Sequence, residues 1–136
     1  MLALPGCNIA DPLSPGSQLS RNVRRGHHMQ VFLYDPAIRD DRPVAKSNLR
    51  QNAPAREAFA DWAQSVQLAP PPKEWARGQR YEFEELGGQR TIVLFHADGS
   101  PLCRIEDKYY RHDPAARSKA HAFMVELPAP QEPAKP

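Results

Sequence analysis

Two glycine-centred turns constrain this chain more than any other feature. Gly87-Gly88 and Asp98-Gly99 divide the stretch from Arg80 to Tyr110 into three strand-like runs, spaced closely enough for hairpins. A two-residue turn at Gly87-Gly88 sets Phe83 opposite Ile92, Tyr81 opposite Leu94 and Glu85 opposite Arg90. A two-residue turn at Asp98-Gly99 sets Ile92 opposite Ile105, Leu94 opposite Cys103, Phe95 opposite Leu102 and Arg90 opposite Asp107. Both turns then select one buried face holding Tyr81, Phe83, Ile92, Leu94, Cys103 and Ile105. The other face presents Glu82, Glu84, Thr91, Val93, Phe95, Arg104, Glu106 and Lys108.

Upstream, Met29 to Tyr34 (MQVFLY) reads as a further strand, ended at Asp35-Pro36, where proline removes a ladder donor. A polar connection follows. Phe59, Trp62 and Val66 then recur with Ala55, Ala58 and Ala63 at helical spacing, so Ala53 to Leu68 is expected to form a helix that covers the sheet. Pro70, Pro71 and Pro72 stop it. Beyond Tyr110, Asp113 and Pro114 have the character of an N-cap and first helical residue, while Phe123 to Leu127 fits either the end of that helix or a last strand. The fold class expected is α+β: a small antiparallel β-meander of three to four strands, one helix packed on one face, a possible C-terminal helix and disordered arms.

The 136 residues, 40% hydrophobic and with 15 prolines, suffice for one modest core. Residues 1 to 28 lack hydrophobic periodicity and are expected to form a disordered arm, residues 29 to 127 a single α+β domain, and residues 128 to 136 a proline-rich disordered tail. A chain trimmed to Met29–Leu127 is then expected to melt within a few degrees of the full one. The formal net charge of +2 resides in the arm, where Arg21, Arg24 and Arg25 outnumber Asp11; the rest of the chain is balanced. No run approaches the roughly 18 apolar residues of a membrane-spanning helix.

The chemical motifs are sparse. There is no glycine-rich phosphate loop, nucleophile elbow or zinc-protease helix motif, so no catalytic residue, cofactor or metal site is expected. A Cys103 and His96 dyad would need a longer second turn, which would put Asp107 on the buried face; Cys103 is expected to act as a small hydrophobe instead. His112 and His121 with Asp113, or the adjacent His27 and His28, follow no established ligand spacing. Leu4-Pro5-Gly6-Cys7 resembles the lipobox of bacterial lipoproteins, in which the cysteine is lipidated. It departs from that pattern at Pro5 and in the short segment before Cys7. The resemblance implies a periplasmic, lipid-anchored alternative to a cytoplasmic protein.

The expected function is a small non-enzymatic protein-binding module of inhibitor, immunity or adaptor type. Its expected contacts are Phe95, Val93, Arg104, Glu82 and the Asp98-Gly99 loop, since an aromatic beside an arginine is the usual composition of an interface hot spot. An alternative is a nucleic-acid-binding accessory protein using Lys108, Tyr109, Tyr110 and Arg111, where cations interleave with rings that stack on bases, together with the Arg21 to Arg25 arm.

Overall fold

The computed structural model describes residues 15–25, 29–37, 42–97 and 99–127. Within them three helices accompany one antiparallel sheet of eight strands: α1 (Pro15–Arg25), β1 (Gln30–Tyr34), β2 (Ala45–Asn48), α2 (Ala53–Gln64), β3 (Gln67–Ala69), β4 (Arg77–Glu84), β5 (Arg90–His96), β6 (Leu102–Ile105), β7 (Lys108–Arg111), α3 (Pro114–His121) and β8 (Val125–Glu126). The spatial order is β3-β7-β6-β5-β4-β1-β2-β8. Both edges are very short strands, one way a sheet avoids templating further strands.

The α+β class holds, but the sheet has eight strands rather than three or four. The added strands lie where local signals are weakest. β2 falls inside the polar connection, held by Val31 opposite Ser47 and Leu33 opposite Ala45. β3 takes the expected end of the α2 helix, and β8 is a two-residue strand against β2. A further hairpin at Glu106-Asp107 separates β6 from β7 without glycine; Glu106 takes up a φ of 57° to make the turn. The C-terminal segment combines both readings, a helix from Pro114 followed by the β8 strand.

α2 forms as its sequence predicts. Asn52 caps it by accepting the Ala55 amide at 3.1 Å, and Phe59 and Trp62 project onto the sheet. Phe59 meets Tyr81 and Phe83 edge-on at 5.7 and 5.9 Å between ring centroids, and Trp62 contacts Tyr81, Phe83 and Phe95. Asp113 caps α3 in the same way through Ala115.

The disordered-arm expectation fails for Pro15–Arg25. This segment is helical and lies on α2, with Leu19 and Val23, one turn apart, buried in the core. Gly16 permits the close approach: a Cβ there would stand 2.5 Å from Val66. The Ser20 hydroxyl donates to the Ala60 carbonyl, and Arg24 reaches Glu57, Asp61 and Gln64. Cys7, His27, His28 and the tail from Pro128 lie outside the described residues.

Candidate interaction face of the sheet

One strand is turned over relative to expectation, and this relocates the candidate site. The first turn has three residues, Leu86-Gly87-Gly88, closed by Glu85 donating to the Gln89 carbonyl at 2.8 Å. Tyr81 therefore stands opposite Val93 and Phe83 opposite Thr91. The second connection is longer by one residue as well, placing Val93 opposite Ile105 and Phe95 opposite Cys103. The two shifts leave β4 and β6 as expected and reverse β5 between them, because a one-residue slip exchanges the faces of a strand. Val93 and Phe95, expected at the interface, are 0% and 3% exposed and belong to the core. Ile92 and Leu94, expected inside, look outward.

All three helices lie on the inner face: α2 packs on the sheet aromatics, α1 on α2, and α3 over Tyr81 and Phe95 through Arg117. The outer face is a grid set by register. One row runs Tyr34, Arg80, Leu94, Arg104, Tyr109 across five strands; the next runs Val125, Lys46, Phe32, Glu82, Ile92. Ile92 is 44% exposed.

The two halves of this grid differ electrostatically. At the β1–β4 side, Glu82 accepts from Arg80 at 2.6 Å and from Arg90 at 2.7 Å, and Arg90 also pairs with Glu84. The Arg80 guanidinium lies 4.0 Å from the Tyr34 ring centroid. Hydrogen bonds to Glu82, Tyr34 and Glu84 hold Arg90 above its ordinary value, so it remains charged. Glu82 thus sits on the expected face but is buried in ion pairs, which removes it as a free contact. At the β6–β7 side, Arg104 donates Nε to the Glu106 carbonyl and lies over Tyr109; neither it nor Arg111 has a carboxylate partner among the described residues.

Trp75, from the segment after the three prolines, lies against this side, 4.8 Å from His96 and 5.4 Å from Tyr109 between centroids. Of the basic aromatic segment, Tyr109 and Arg111 share the outer face, Tyr110 is in the core and Lys108 is exposed at the turn. Gly99 is exposed, and Asp98 lies outside the described residues. The sequence reading missed Ile92, Leu94, Phe32, Tyr34 and Trp75.

On the inner face, Cys103 is fully buried and burial pushes its thiol up to about 12, against the opposing effect of Arg117. Its strand neighbour Phe95 separates it from His96, which points to the opposite side. His112 is also buried; its Nδ1 accepts the Trp62 indole N–H at 3.3 Å, which leaves the proton of the neutral ring on Nε2. Burial and the nearby Arg117 charge hold His112 below its usual range, with Asp113 opposing. The unfolded chain therefore binds this proton more readily than the folded one. Stability should be fully present above pH ~6.5 and fall as pH drops through the window below it, by at most ~1.4 kcal/mol per pH unit from this group. Urea midpoints between pH 7.5 and 5 would show the slope, which should flatten in His112→Asn, where an amide oxygen stands near the Nδ1 position.

Among the described residues, no three His, Cys, Asp or Glu side chains converge as a metal-holding group, and no helix is long and apolar enough to cross a membrane. Comparison with protein-family models, curated proteins and solved structures finds no match to this chain.

Proposed function

We propose that this chain is a non-enzymatic protein-binding module, of inhibitor, immunity or adaptor type, that engages its partner through the outer face of the sheet. The observation that carries this reading is the asymmetry of covering: every described helix is on one face, while the other presents Ile92, Leu94, Phe32 and Tyr109 among stacked guanidinium groups. Tyrosine, tryptophan and arginine around an apolar centre are the residues that dominate protein interfaces. Leu94 and Ile92 form the centre, and Arg104 and Arg111 suit an acidic rim on the partner. The contacts proposed are therefore Ile92, Leu94, Arg104, Tyr109 and Arg111.

The test is affinity capture from a lysate of the encoding organism, comparing the unmodified protein, Ile92→Asp/Leu94→Asp, and Lys119→Glu on the helical side. The unmodified protein and Lys119→Glu should retain the same partner, and the sheet variant should lose it while keeping its circular dichroism spectrum. Retention by the folded sheet variant would refute the surface assignment.

A second reading draws on the Trp75, His96 and Tyr109 cluster beside Arg104 and Arg111. Partly exposed rings flanked by guanidinium groups can stack on bases and meet phosphates, which supports nucleic-acid binding at this corner. Such binding must weaken steeply with salt. Absence of a gel shift with single- and double-stranded probes at micromolar protein and low salt would dispose of it.

A further inference from the structure

At the end of the sheet where β4 begins and β5 finishes, a cavity of about 390 Å³ opens between α3 and the β5–β6 connection. Its wall on the α3 side is unusual in composition. Pro114, Arg117, Ser118 and His121 line it at the spacing i, i+3, i+4, i+7, the stripe that an amphipathic helix normally makes apolar and buries. α3 instead sends Ala120 into the core and turns a cation, a hydroxyl and an imidazole toward the cavity.

Arg117 is the centre of this wall. Its guanidinium lies 3.7 Å from the Phe95 ring centroid, its Nε donates to the Tyr81 hydroxyl at 3.3 Å, and its Nη2 donates to Gln79 Oε1 at 2.6 Å. These contacts fix the plane of the side chain while using two of its five N–H groups. No carboxylate pairs with it among the described residues, and none of the described residues lining the cavity is acidic. Asp113, at the start of the same helix, turns its carboxylate to the Ala115 amide as the α3 cap. A half-buried cation held rigidly with no carboxylate partner among the described residues is uncommon, because buried charges are ordinarily paired. Its charge lowers the proton affinity of Tyr81, Cys103 and His112 alike.

Three further side chains at the cavity can donate. Gln79 presents its amide NH₂ because its oxygen is committed to Arg117; the Ser118 hydroxyl and His121 ring have no hydrogen-bond partner among the described residues. We infer that this cavity is a binding site for the phosphate group of a small phosphate monoester, seated on the unused N–H groups of Arg117 and met by Gln79, Ser118 and His121. A carboxylate, with two oxygens, would pair with the guanidinium and leave the flanking donors unmet. The three terminal oxygens of a phosphate monoester serve both the bidentate guanidinium and those donors. The cavity has room for the phosphate and a ring-sized body, within the range of small-molecule pockets. His96 borders both the cavity and the Trp75 corner, but none of the four groups proposed to hold the phosphate is a proposed contact of the outer sheet face, so neither reading depends on the other.

The test is a titration of the full ¹⁵N-labelled chain with inorganic phosphate, phenyl phosphate and benzoate, each against sodium chloride at matched ionic strength, followed by heteronuclear NMR. Saturable shifts should appear at Gly99, Ser118 and the Arg117 Nε–H, with phenyl phosphate binding at least tenfold more tightly than benzoate. Arg117→Gln should abolish binding, but that side chain also packs on Phe95 and is a poor sole test. Ser118→Ala/His121→Ala changes only exposed positions of α3, should leave the fold intact, and should weaken phenyl phosphate at least fivefold. Shifts no larger than those with chloride, benzoate binding as tightly as phenyl phosphate, or unchanged binding by the double variant would each overturn the assignment. The sheet variant Ile92→Asp/Leu94→Asp should bind phenyl phosphate as the unmodified protein does.

Discussion

Replacing Trp62 by alanine should cost about 3–5 kcal/mol of stability, the range for truncating a buried tryptophan, read as a shift of the urea midpoint with little change in slope. Trp62 is fully buried and touches the inward rings of three strand positions, Tyr81, Phe83 and Phe95, so it joins α2 to the middle of the sheet. The substitution removes more than volume. It also deprives His112 Nδ1 of its donor, leaving a buried acceptor unmet. Trp62→Phe should recover most of the packing but not that bond, and should fall between the two. A Trp62→Ala protein with an unchanged midpoint would show that the aromatic cluster is not what holds helix to sheet.

The elements that were legible in the sequence are those whose signals are local. α2 has a cap, an early proline and an apolar stripe; α3 has Asp113-Pro114; β1 is a short apolar run before Asp-Pro. β2, β3 and β8 are short and carry little apolar alternation; pairing with β1, β7 and β2 across the chain makes them strands. The turn at Glu106-Asp107 lacks the glycine that marks the other two hairpins, so β6 and β7 read as one run.

The site was misread for a more specific reason. Ile92, Val93, Leu94 and Phe95 are apolar without interruption, so β5 has no alternation to say which side is inward. Only turn length decides it, and Gly87-Gly88 is compatible with both a two-residue loop and the three-residue loop that forms. Placing two errors on either side of one strand kept the pairs plausible while exchanging Phe95 for Leu94 and Val93 for Ile92. Arg104 kept its face because β6 did not move. The Arg117 cavity had no linear signature: Gln79 and Arg117 are brought together by the packing of α3 on the end of β4.

Starting the chain at Met29 should destabilise the protein strongly, contrary to what the composition of the first 28 residues suggests. α1 contributes only two large apolar side chains, too few for hydrophobic periodicity to register in a segment rich in Ser, Arg and Gly. Those two are nevertheless Leu19 at 2% and Val23 at 0% exposure, and the helix they belong to covers Ala60 and Ala63 of α2. Removing it brings that side of α2 into water and frees Glu57 and Asp61 from Arg24. The exposed ion pairs contribute little; the uncovered apolar surface carries the loss. Leu19→Ala alone should cost about 2–5 kcal/mol. The Met29–Leu127 chain, which loses both anchors, should melt more than about 10 °C below the full one or fail to fold. Gly16→Leu supplies an independent check that the helix is seated as described, since its side chain would collide with Val66 and Tyr110 and should lower the midpoint without deleting any contact residue. Thermal denaturation of the full chain, Leu19→Ala, Gly16→Leu and Met29–Leu127 decides the matter: equal midpoints for all four would mean that Pro15–Arg25 does not pack on the core.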